Sequence, residues 1–103
     1  MLDIWKVKRT EPRISLTIPV SVEGVDLSGQ SFLDETITEN VSRNGACLIL
    51  ERDLKIGLTL VVTANEGKFK SEATVRGVWI DEKDGRTKVG VQFTPPVRNW
   101  VIS

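Results

Sequence analysis

Nine consecutive residues alternate without interruption: Ile14, Leu16, Ile18, Val20 and Val22 are apolar, and Ser15, Thr17, Pro19 and Ser21 fall between them. A period of two gathers the apolar groups on one side of an extended chain, and no helix can do the same with these positions. The segment therefore predicts a strand over 14–22 with one buried face. Pro19 lies among the polar positions and has no N–H for a ladder, which predicts an edge strand or a bulge. Glu23 to Gln30 is rich in turn formers and predicts the closing turn of a hairpin.

The rest of the chain keeps this rhythm. Residues 32–41 place Leu33, Ile37 and Val41 on one expected face, with Asp34, Thr36, Thr38 and Asn40 on the other. Ala46 to Leu50 is a continuous apolar run, the pattern of a strand covered on both sides. Leu58 to Ala64, Phe69 to Ile80 and a last segment carrying Val89, Val91 and Phe93 follow. Asn65–Lys68 and Asp81–Gly85 read as hairpin turns, and Pro95-Pro96 ends the last strand. Residues 97–102 predict at most one helical turn. Short strands at this spacing predict an all-β fold, a small six- to seven-stranded antiparallel barrel or sandwich whose closure removes exposed edges. Trp79 and Phe93 fall in phase with apolar neighbours and are expected in the core, whereas Arg76 is expected at the surface.

With 103 residues, 40% of them hydrophobic, one domain and one core are expected. Fourteen basic groups balance fourteen acidic ones, so the chain is no general polycation for DNA, RNA or membranes. The charges are nevertheless segregated: residues 1–13 sum to +2, residues 14–42 to −5 and residues 43–103 to +3. No apolar run is long enough to span a membrane, and no secretory signal is legible, so a cytoplasmic protein is expected. Cys47 is the single cysteine and histidine is absent. One thiol without imidazole makes neither a disulfide nor a plausible zinc cluster, and histidine-based catalytic triads are excluded. No catalytic residue, metal or cofactor is expected. Cys47 reads as a small buried hydrophobe.

Two clusters carry the remaining chemistry. Lys8-Arg9-Thr10-Glu11-Pro12-Arg13 places two arginines four positions apart, directly before the first strand. Asn40-Val41-Ser42-Arg43-Asn44-Gly45 sits where one strand gives way to the next. Such a corner has an ordinary structural use, with Asn and Ser bonding local backbone and Gly taking a positive φ. A tight corner with donors to spare also makes a binding surface.

In this order, 26 residues apart, the clusters resemble the signature of the PilZ domain: Arg-x-x-x-Arg, then Asp/Asn-x-Ser-x-x-Gly. The resemblance extends through the apolar run after Gly45, Val78-Trp79 and Val89-Gly-Val-Gln-Phe93, roughly residues 8 to 94. It implies a small β-barrel that binds the bacterial second messenger cyclic di-GMP, with Lys8, Arg9, Arg13, Asn40, Ser42, Arg43 and Gly45 at the ligand. The chemistry suits that ligand. A guanidinium fork meets guanine O6 and N7 bidentately, or pairs with phosphate, or stacks on a base. Asn40 and Ser42 can serve the opposite guanine edge, although Asn offers one acceptor oxygen where Asp would offer two. Gly45 would let backbone approach the ligand closely.

The expected organisation is a basic arm over 1–13, a barrel over 14–96 and a tail over 97–103. The arm is expected to become ordered on the nucleotide and so to signal to a downstream protein partner. Two other uses of such a barrel stay open: a protein-interaction module without nucleotide affinity, and a small-barrel binder of nucleic acid. The latter usually needs aromatic platforms beside a basic groove, and the chain has only six aromatic residues.

Overall fold

Thr38 explains why the alternating segment is not one strand. In the computed structural model, which describes residues 12–101, its buried hydroxyl donates to Leu16 O at 2.7 Å and accepts from Ile18 N at 3.0 Å. Those bonds replace ladder bonds where the chain leaves the sheet over residues 16–18. Pro19, which has no N–H to offer, restarts the extended path. The result is two strands, β1 (Ile14–Ser15) and β2 (Pro19–Val25), instead of the single strand expected over 14–22. Val20 and Val22 are buried as expected, but Ile14 and Leu16 are exposed because β1 packs beside the barrel and not over its core.

Five further strands complete the described residues: β3 (Ser31–Ser42), β4 (Gly45–Ile49), β5 (Thr59–Ala64), β6 (Phe69–Ile80) and β7 (Thr87–Phe93). All pairings are antiparallel, in the order β1-β3-β2-β5-β6-β7-β4, and β4 pairs back onto β3. Strands β2 to β7 thus form a closed six-stranded barrel, and β1 is an extra strand laid on β3. β2 is interior, between β3 and β5, so the edge position expected from Pro19 does not hold. Pro19 is instead the first residue of its strand, where a missing donor is tolerated. β2 also runs to Val25, past the expected start of the turn. The turn itself closes over 26–30, with the Asp26 carboxylate accepting from the amides of Ser28 and Gln30.

Two bulges reset which face points inward. β3 shifts register between Thr38 and Asn40, and β6 between Val75 and Gly77. An extra residue in one strand inverts every later side chain relative to simple alternation. Before its bulge β3 buries Phe32 and Thr38, and after it Val41, so the face expected from Leu33, Ile37 and Val41 is not continuous. Leu33 is 64% exposed. Trp79 lies beyond the β6 bulge and faces outward, 40% exposed, instead of joining the core. Phe93 is in the core as expected, and Arg76 is at the surface, donating to Gln92 Oε1 at 3.0 Å.

The barrel interior is filled by residues such as Val22, Leu48, Leu60, Val62, Val75, Val89 and Val91. One end is plugged by Phe69, Phe93 and Trp100, whose rings lie 4.6–4.9 Å apart at tilted or edge-on angles. Trp100 belongs to an irregular segment after β7, and residues 97–101 form no helical turn. The segregated charges of the sequence meet across the fold. Asp34 is clamped by Arg52 Nε and Nη2, each at 2.7 Å, and Glu39 is paired with Lys88. No helix among the described residues is long and apolar enough to cross a membrane.

Candidate functional site

The short strand β1 delivers Arg13. Ser15 pairs with Asn40 and Ile14 with Val41, which sets the residue before β1 against the C-terminal half of β3. Arg13 is half-buried there, and its Nη1 donates to Asn40 Oδ1 at 2.9 Å. A guanidinium from the first sequence cluster and a carboxamide from the second, 27 positions apart, are thereby joined directly. Lys8 and Arg9 lie outside the described residues.

Asn40 reaches this contact because of the bulge. Thr38 points into the barrel, so uninterrupted alternation would send Asn40 inward as well. The extra residue, Glu39, sends Val41 to the core and pairs Asn40 with Cys47 on β4. Continuing across the sheet, Cys47 pairs with Gly90 and Gly90 with Gly77. Cys47 is fully covered, and burial, with the Glu39 carboxylate second, pushes its thiol up to about 11. At neutral pH it is an inert thiol, in keeping with its reading as a small hydrophobe.

The corner itself is a two-residue turn, Arg43-Asn44, between β3 and β4. Arg43 is exposed, and Asn44 O accepts from Phe93 N at 2.7 Å. Gly45 does not have the positive φ that a corner glycine commonly supplies. Its constraint is spatial: a Cβ at that position would stand 2.4 Å from Val91 O, a contact no side chain makes. The missing side chain therefore lets the β7 backbone close against β4. Ser42 is buried, and its carbonyl accepts from Trp100 Nε1 at 2.9 Å. Trp100 thus ties the segment after β7 to the motif corner. Nothing in the local pattern of residues 97–102 indicates that role.

Beside the Arg13–Asn40 contact lies a charge cluster that sequence reasoning did not identify. The Lys88 side chain is wholly buried, and its ammonium is bonded to Glu39, to Asp84 at 2.9 Å and to Asp81 at 3.5 Å. The hydrogen bonds to Glu39, foremost, and to Asp84 hold Lys88 well above the usual lysine range. The Asp84 carboxyl is held low by the Arg86 amide and by Lys88. Glu39, Asp81 and Asp84 are close enough to surround a cation, and the lysine ammonium fills that place. Trp79 stands nearby on the same outer surface, as the cross-strand partner of Lys88, with its ring against Gly77.

The PilZ domain model matches residues 7–99 of the chain. Comparison with curated proteins returns no match. Among solved structures, the Bacillus subtilis inhibitor of motility MotI/DgrA is similar over 84% of this chain and 43% of its own, with 20% identity and a TM-score of 0.64. MrkH of K. pneumonia, in a complex with c-di-GMP, matches over 84% of this chain and 44% of its own, at 19% identity and a TM-score of 0.62. The PilZ domain of YcgR from Escherichia coli, with c-di-GMP, matches over 85% of this chain and 79% of that one, at 18% identity and a TM-score of 0.58. The chain thus spans less than half the length of the first two proteins. At these identities the likeness is one of fold.

Proposed function

The chain belongs to the PilZ domain family, a family of non-catalytic receptor and adaptor modules, and on that premise we propose that it binds cyclic di-GMP through Arg9, Arg13, Asn40 and Ser42, with Lys8, Arg43 and Gly45 contributing at the margins. The observation that carries this reading is the 2.9 Å contact from Arg13 Nη1 to Asn40 Oδ1, because it brings both halves of the bipartite motif to one place. Arg13 presents a planar cation and Asn40 an amide, the groups suited to phosphate or to the Hoogsteen edge, and to the opposite edge, of a guanine. Two of the similar structures contain c-di-GMP, which supports the choice of ligand.

Binding would fix the segment carrying Lys8 and Arg9 against the nucleotide and create a new surface for a downstream protein. Gly45 acts in this scheme through the closure of β4 on β7. A bacterial cytoplasmic setting, with no DNA, RNA, metal or cofactor involved, completes the proposal. Calorimetric titration of the purified protein tests it. Cyclic di-GMP should bind, and cyclic di-AMP, which has an amino donor where guanine has O6 and lacks the N2 donor, should bind at least about tenfold more weakly. Hydrogen exchange at residues 5–13 should slow on saturation. Equal affinities would remove guanine readout. An absence of binding would leave the protein-interaction module as the better reading.

A further inference from the structure

We infer that Glu39 is a positioning residue for the proposed nucleotide site: pinned by the buried Lys88 ammonium, it holds the β3 bulge that turns Asn40 toward Arg13. This rests on the reading of Asn40 as a ligand residue, but the pin itself is a property of the free protein.

The argument starts from the register. Thr38 pairs with Leu48 and Asn40 with Cys47, so β3 spends one residue more than β4 over this interval, and Glu39 is that residue. A bulged residue has no place in the ladder, and its backbone path needs support from elsewhere. Here the support comes from two strands away. The Lys88 ammonium, on β7, reaches across β4 and bonds the Glu39 carboxylate. Lys88 is itself immobilised, since its side chain is fully buried and Asp84 and Asp81, from the turn between β6 and β7, hold the same ammonium. The pin is therefore anchored to the β6–β7 turn. If the bulge relaxes, alternation from Thr38 carries Asn40 away from Arg13 and the motif halves separate.

Glu39 is the better target for testing this than Lys88. Removing the lysine would leave three carboxylates crowded together, whereas removing Glu39 leaves the buried ammonium two partners, so no buried charge is orphaned. The experiment combines calorimetry with cyclic di-GMP and side-chain amide NMR of the free protein, for Glu39→Ala, Glu39→Gln, Asn40→Ala and the double variant Glu39→Ala/Asn40→Ala. Glu39→Ala should weaken binding about tenfold, and Glu39→Gln, which keeps an acceptor for Lys88, should recover most of it. In the Asn40→Ala background, Glu39→Ala should cause no further loss, because it acts through Asn40. In the free protein, Glu39→Ala should shift the Asn40 carboxamide signals and Glu39→Gln should leave them near their native positions. Wild-type affinity in Glu39→Ala, additive losses in the double variant, or unmoved Asn40 signals would each overturn the inference. If the wild type does not bind cyclic di-GMP at all, the functional reading fails separately, and the Asn40 signals alone decide for or against the pin.

Discussion

Gly45 and Arg13 belong to the same proposed site and are held in opposite ways. Gly45 is packed so closely that a single added carbon would stand 2.4 Å from the Val91 carbonyl, and the corner it closes is tied to Phe93 and Trp100. Arg13 is delivered by a strand of two residues, both exposed, and is joined to the barrel by a hydrogen bond to Asn40. The corner is thus part of the packing that makes the barrel, while the arginine is docked onto a barrel already made. The two halves of a binding motif need not share a physical role. Substitutions in the corner should register as stability, and substitutions at the arginine as affinity.

The largest expected effect lies on the corner side. Gly45→Ala should destabilise the fold by about 3 kcal/mol, because the neighbour that must yield is backbone in a closed ladder and no flexible side chain can move instead. Chemical denaturation measures this as a lower midpoint with an unchanged slope. A near-native midpoint would show that β4 and β7 can separate at little cost, and the contrast with Arg13 would collapse.

Arg13→Ala should do the reverse. Affinity for cyclic di-GMP should fall by about 2 kcal/mol, roughly thirty-fold, for the loss of a charge-assisted bidentate donor. The unfolding free energy should stay within about 0.5 kcal/mol of the wild type, as for other substitutions that leave the core untouched. Calorimetry and denaturation on the same preparation separate the two. A large loss of stability would mean that β1 and Arg13 are part of the barrel's foundation after all.

The smallest effect is that of pH. Asp34 is held below the usual carboxylate range chiefly by the hydrogen bond from Arg52, and Asp84 by the Arg86 amide and Lys88. Depressed carboxyls stabilise the fold above their unfolded value near 4, and that contribution disappears as pH falls through the lower folded value. Cys47, pushed up to about 11 by burial, works at the other limit. The unfolded thiol ionises first as pH rises past about 8.5, so stability declines from there. With no histidine in the chain, thermal stability should be flat from about pH 5 to 8. Ligand affinity should be equally flat there, since Arg13 stays charged throughout. A step in either curve near pH 6–7 would point to a titrating group that neither half of the site contains.

Much of this molecule follows from short-range pattern. The sequence pattern places β5 and β6 with the right length or nearly so and locates β7, the unbroken apolar run over 46–50 marks β4 as covered on both sides, and Asn65–Lys68 and Asp81–Gly85 mark hairpins. The spacing of Arg9, Arg13, Asn40, Ser42 and Gly45 is enough to indicate the family. These features are local because steric preference, turn chemistry and side-chain alternation act over a few residues. What the tertiary structure alone decided is which way later side chains face. Bulges after Thr38 and after Val75 bring Asn40 to Arg13 and Trp79 to the surface, against the phase of their own strands. Each bulge exists only relative to a partner strand. The β3 bulge is held by Lys88, 49 positions away from Glu39, and the corner by Trp100, 58 positions away from Ser42. A register is a relation between strands, so the closed barrel sets it, and the period of one strand does not contain it.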